Sequence, residues 1–87
     1  MISYGTHIYE RETGKKPRGL GHWAFYLNIS NEELTKHECP FEHYKSDIRN
    51  RTLVWASDVM LLSQAKKELT DWLKSKGVKS ATIEVAS

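Results

Sequence analysis

The sequence predicts an α+β fold of two layers. It comprises a small, mainly antiparallel sheet in the order β-β-β-α-β, one long helix packed on one face, and short helical turns in the 30–48 connection. Three observations lead there. In "HWAFYLNI" (22–29), Trp23, Phe25, Leu27 and Ile29 alternate with His22, Ala24, Tyr26 and Asn28, the two-residue period of a half-buried strand. "SATIEVA" (80–86) alternates in the same way. Between them, Leu62, Ala65, Leu69, Trp72 and Leu73 recur at helical spacing and make a single apolar stripe.

The elements follow in chain order. Residues 2–11 are rich in β-branched and aromatic types and read as a first strand. "TGKKPRGLG" (13–21) holds three glycines and a proline and reads as a loop. The strand at 22–29 then pairs with the first as a hairpin with a long, basic tip. Ser30 and Glu33 have the spacing of a capping box, and Ile29 and Leu34 that of a hydrophobic staple. The helix they start is short, because Pro40 is excluded from a helix interior. "CPFEHYKSDI" (39–48) opens a second helical turn with Pro40 at its first position, placing Phe41, Tyr44 and Ile48 on one side. "RTLVWAS" (51–57) is a third strand. Asp58 or Ser63 caps the long helix, and Gly77 ends it. The predicted core joins Trp23, Phe25, Leu27, Trp55, Leu69, Trp72, Leu73, Ile83 and Val85.

Eighty-seven residues make one domain, 1–87, with a modest core. A composition that is 39% hydrophobic and 28% charged is that of a globular chain, not a disordered one. No stretch approaches the roughly 20 apolar residues of a membrane helix. "MISYGTHIYE" has neither the charged start nor the apolar run of a secretory leader. The single cysteine excludes an internal disulfide and fits a reducing compartment, so a cytoplasmic location is expected. The net charge of +2 is too small to name nucleic acid as the partner, and it argues against an acidic DNA mimic. The charge is nonetheless blocked: "RETGKKPR" (11–18) is basic, "EELTKHECPFE" (32–42) is acidic, and "KSDIRNR" (45–51) is basic again.

Three places attract a chemical reading. His37, Cys39 and His43 put three metal-ligand types within seven residues. Structural zinc takes four ligands in paired spacings, so this set is incomplete, and no metal or other cofactor is expected. Cys39 is also a poor candidate nucleophile, because Glu38 and Glu42 flank it and negative charge raises a thiol pKa. The second place is the basic loop with Arg11, Lys15, Lys16 and Arg18. It is suited to phosphates or carboxylates, although it lacks the nucleotide-binding glycine pattern. The third is the sheet face opposite the core, where His22 and Tyr26 are expected beside Tyr9 and a further histidine, His7. Residues 30–50 either leave that face open or fold back over it.

The expected function is therefore that of a small, non-enzymatic binding protein acting stoichiometrically on a larger protein or protein–nucleic-acid complex. Its binding residues are Tyr9, Arg11, Lys15, Lys16, Arg18, His22 and Tyr26, with no catalytic residue and no membrane partner. In size and style such a module looks like the short inhibitors that phages and other mobile elements encode, including those that block host defence. Direct nucleic-acid binding through the basic loop and tyrosine face is the first alternative. A small His/Glu-dependent hydrolase or nuclease is the second.

Overall fold

The computed structural model describes residues 1–46 and 51–86. Its elements are β1 (Ile2–Gly5), α1 (His7–Thr13), β2 (Leu20–Gly21), β3 (Ala24–Leu27), α2 (Asn31–Lys36), β4 (His43–Lys45), β5 (Thr52–Trp55), β6 (Met60–Leu61), α3 (Leu62–Ser75) and β7 (Ala81–Val85). A five-stranded mixed sheet has the order β1-β7-β3-β5-β4, and β2 and β6 form a separate two-stranded ladder. Among the described residues, only the β1–β7 pair is parallel; the other pairs are antiparallel. The result is the expected small α+β architecture, with long helix α3 packed against the sheet.

Alternation assigns the two sheet faces. Phe25, Leu27, Val54, Ile83 and Val85 are buried on one face, where Leu34 of α2 and Leu62, Ala65, Leu69 and Leu73 of α3 close over them. Fully burying side chains of this size contributes roughly 1.5–3 kcal/mol each, the dominant stabilising term in so small a chain. Thr52 is the one buried polar residue of this face among the described residues, and its hydroxyl donates to the Ile29 carbonyl at 2.6 Å. The capping signal at α2 holds as well: Ser30 Oγ accepts from the Glu33 N–H. Gly77, at φ 80°, ends α3 in the left-handed conformation that favours glycine.

Five expectations are corrected. The first strand ends at Gly5, and residues 7–13 are helical. Ile8 and Tyr9 are adjacent, so the two-residue period breaks there. The Thr6 hydroxyl donates to the Glu10 carboxylate at 2.8 Å, and Gly14 provides a left-handed stop at φ 71°. The second correction follows from the first. The predicted hairpin does not form, because β1 sits at a sheet edge parallel to β7, while β3 pairs with β5 and β7. The basic segment thus joins α1 to β2.

Third, residues 43–45 form edge strand β4 instead of a helical turn. Phe41 turns inward against Trp72, with ring centroids 6.0 Å apart and planes at 83°. Tyr44 faces the other way, and Ile48 lies outside the described residues. Fourth, neither Asp58 nor Ser63 caps α3. Leu61 holds that position without a side-chain hydrogen bond, and the Asp58 carboxylate instead accepts the Val59 N–H at 2.7 Å. Fifth, Trp55 leaves the predicted core. Thr52 and Val54 take the inward positions of β5, so Leu53 and Trp55 point outward. Trp72 is half-buried at the core margin.

Candidate binding surfaces

The sheet face away from α2 and α3 carries a row of residues in register across all five strands. Gly5 of β1 lies beside Glu84 of β7, Glu84 beside Tyr26 of β3, Tyr26 beside Leu53 of β5, and Leu53 beside Tyr44 of β4. Trp55 lies two residues further along β5. The His22 ring leans on it at a centroid distance of 5.1 Å, and His22 Nε2 meets the Ala56 carbonyl at 3.0 Å. Tyr26, Leu53 and Trp55 are part-exposed, and Tyr44 is exposed. The 30–45 segment adds Tyr44 to this face instead of covering it, because α2 buries Leu34 on the other side.

Of the residues expected here, His22 and Tyr26 are present. Tyr9 is not: it lies on α1 and packs against Trp23, with ring centroids 5.8 Å apart. Leu53, Trp55 and Tyr44 are the members that sequence reasoning missed. Every residue from Leu53 to Ala56 is apolar, so hydrophobicity leaves the facing of β5 undecided; only the strand's register fixes it.

Glu84 gives this face its one described histidine–carboxylate contact. His7 Nδ1 lies 3.8 Å from Glu84 Oε1, with His7 exposed and Glu84 largely covered. Glu84 Oε2 is buried without a hydrogen-bond partner. Its carboxylate rests over Gly5, where a Cβ would lie 2.5 Å from Oε1, so only a glycine there leaves room for the carboxylate as placed. A carboxylate beside an imidazole is a possible acid–base pair, and Tyr26 is its neighbour in the row.

A second surface surrounds the β2–β6 ladder. Leu20 and Leu61 are cross-strand partners, and both project into solvent, 71% and 51% exposed, with Val59 nearby at 56%. Beside them a groove of about 300 Å³ is lined by Pro17, Arg18, Gly19, Leu61, Leu62, Ser63 and Lys66. Exposed Lys15 and Lys16 lie on the approach from α1, and Arg11 is exposed on α1 itself. Of the predicted basic residues, Arg18 lines this groove, and its apolar companions are aliphatic and come from the β2–β6 ladder. A different groove, of about 470 Å³, runs between Met1–Ile2 and the end of α3 and shares no residue with either surface.

No family model, curated protein or solved structure matches this chain.

The histidine–cysteine segment is locally occupied. His43 Nδ1 lies 2.9 Å from the Phe41 carbonyl, and its Nε2 lies 3.2 Å from the Thr35 hydroxyl. The Cys39 thiol points to the Phe41 carbonyl at 3.7 Å. Burial pushes that thiol above its ordinary pKa, against a smaller opposing effect of the carbonyl contact, which disfavours the reactive thiolate. Among the described residues, no three His, Cys, Asp or Glu side chains converge as a metal site. Among them too, no helix is long and apolar enough to cross a membrane.

Proposed function

We propose that the chain is a binding protein that acts stoichiometrically on a larger protein or protein–nucleic-acid assembly. The observation that supports this best is the sheet face away from α2 and α3, with Tyr44, Leu53 and Tyr26 in one row and Trp55 and His22 beside them. Aromatic side chains with part of their surface still in water gain apolar burial on docking, at roughly 25 cal/mol per Å² removed from water. Tyrosine and tryptophan bring large contact areas at little cost in rotamer freedom, so they recur as interface anchors. In scale and manner, the proposal places the chain beside the short inhibitors of phages and mobile elements.

Retention tests it. The immobilised chain is exposed to lysate of its native host, with and without nuclease, alongside the Tyr26→Ser/Tyr44→Ser variant. The proposal expects a partner held in fixed ratio that survives nuclease and is lost from the variant. Retention by both proteins alike removes the sheet face from the interface.

Direct nucleic-acid binding is the second reading, favoured by the ring contact between His22 and Trp55 beside Tyr26, a platform on which unpaired bases stack. Glu84 in the same row works against it by repelling phosphate. Salt separates the two readings, since phosphate contacts weaken steeply as salt rises.

A further inference from the structure

The geometry points to the Leu20–Leu61 pair and its adjoining groove as a docking site for an acidic polypeptide segment that carries aliphatic anchors. This rests on the reading of the chain as a binding protein, and it names a surface separate from the tyrosine-bearing face.

The argument starts from Leu61. It holds the N-cap of a fourteen-residue helix, where serine, threonine, aspartate or asparagine accepts a hydrogen bond from the first-turn N–H groups. Leucine makes no such bond, and none is formed. The same side chain is half-exposed, and its cross-strand partner Leu20 is more exposed still. The first helix donor is met by backbone instead, since the Leu62 N–H donates to the Gly19 carbonyl at 3.0 Å, but folding gains little from placing two leucines where both leave apolar area in water. Exposed leucines directly opposite each other, with Val59 exposed nearby, are accounted for by burial against a partner.

Charge and shape define the occupant. Arg18 lines the groove beside Leu61, and Lys15 and Lys16 stand on the segment leading to it; Lys66 also lines it, with its ammonium 5.4 Å from the Tyr4 ring centroid. The nearest acidic residue in sequence, Asp58, keeps its carboxylate beside Val59, whose N–H it accepts at 2.7 Å, and does not line the groove. Cations around an aliphatic centre complement carboxylates around an aliphatic side chain. The shallow groove of about 300 Å³ beside the leucine pair gives a side chain of a docked polypeptide a place to seat.

The test separates folding from binding. Leu61→Ser restores a capping oxygen and removes the anchor, so it melts at or above the parent temperature while losing the interaction. Leu20→Ser removes the most exposed apolar side chain of the ladder and leaves folding unchanged. The isotope-labelled full chain is titrated with a synthetic peptide of glutamate and leucine pairs. Matched peptides carry serine in place of leucine or lysine in place of glutamate. Phosphatidylglycerol–phosphatidylcholine vesicles and a single-stranded DNA oligonucleotide are run in parallel.

The expected result is saturable amide shifts at Leu20, Leu61, Ser63 and Lys66 with the glutamate–leucine peptide alone. Affinity falls about tenfold or more in each serine variant, the loss typical of an interface anchor. Response to vesicles or DNA but not to the peptide overturns the proposal, as does peptide binding that both variants retain. Shifts confined to Tyr26, Tyr44 and Trp55 overturn this site while leaving the binding-protein reading in place. No saturable shift with any probe removes the site.

Discussion

The Tyr4 hydroxyl lies 2.7 Å from the Thr70 hydroxyl, which ties edge strand β1 to the middle of α3 across the core. The same phenol donates to the Lys66 carbonyl at 3.0 Å, and its ring meets Phe25 edge-on at 5.8 Å. The link matters because, among the described residues, β1 has a sheet neighbour only in β7.

Tyr4→Phe keeps the ring and removes the hydroxyl. Losing its contacts to Thr70 and the Lys66 carbonyl costs about 1 kcal/mol or more, and each kcal/mol lowers the melting temperature of so small a domain by about 4–8 °C. A pH series adds a second readout. Burial, with a smaller contribution from Asp71, holds the Tyr4 phenol above its ordinary pKa, against the opposing Thr70 bond. A phenol held neutral in the fold loses its proton more readily in the unfolded chain. Its contribution is therefore fully present below about pH 10 and declines as pH rises through the folded value. The parent's advantage over Tyr4→Phe shrinks across that alkaline window. A constant difference there contradicts the burial argument.

Phe25 and Trp72 separate the core from its margin. Phe25 is 1% exposed at the centre of the sheet, whereas Trp72 is only half-buried against Phe41. Phe25→Ala is expected to cost about 3–5 kcal/mol, a large part of the stability of a domain this size. Trp72→Ala costs less. Urea midpoints of the two variants check the order, and a lower midpoint for Trp72→Ala reverses the assignment.

Glu84→Thr removes a carboxylate whose Oε2 is buried without a partner and places a β-branched residue in an interior strand. Leaving such a group unsatisfied costs about 1–3 kcal/mol, so the variant is expected to be more stable by about 1 kcal/mol after the His7 contact is lost. Thermal melts decide it. A destabilised variant means that the His7–Glu84 contact outweighs the desolvation of Glu84.

Cys39 is expected to react slowly with iodoacetamide at neutral pH, because burial raises its pKa and keeps the thiol protonated. Denaturation in urea restores the rate of a free thiol. Equal rates in the folded and unfolded chain contradict the burial of Cys39.

Legibility in the sequence followed the sharpness of the local signal. The alternation at 22–29 and 80–86 and the apolar stripe of α3 were each readable, because one residue type falls on one face. So were Ser30 as a cap and Gly77 as a stop, where backbone chemistry narrows the choice. The 2–13 segment was not. Its alternating β-formers Ile2, Tyr4, Thr6 and Ile8 lose their two-residue period only at the adjacent Tyr9, and the parallel partner of β1 lies more than seventy residues away. Facing in β5 was illegible for a related reason: Leu53 and Trp55 are as apolar as Val54, so the outward pair is fixed only by pairing with β3 and β4. Of the surfaces, the basic residues were visible from their clustering. The Leu20–Leu61 contact was not, since it depends on a two-residue ladder that joins segments forty residues apart.

The central claim, stoichiometric binding, is tested most directly by weighing the complex. The partner recovered from host lysate is purified, mixed with the chain after nuclease treatment, and sized by chromatography with light scattering. A single species of fixed molar ratio, unchanged on prolonged incubation and absent with Tyr26→Ser/Tyr44→Ser, is the predicted result. A partner cleaved or modified by substoichiometric amounts of the chain contradicts the account and makes the protein an enzyme.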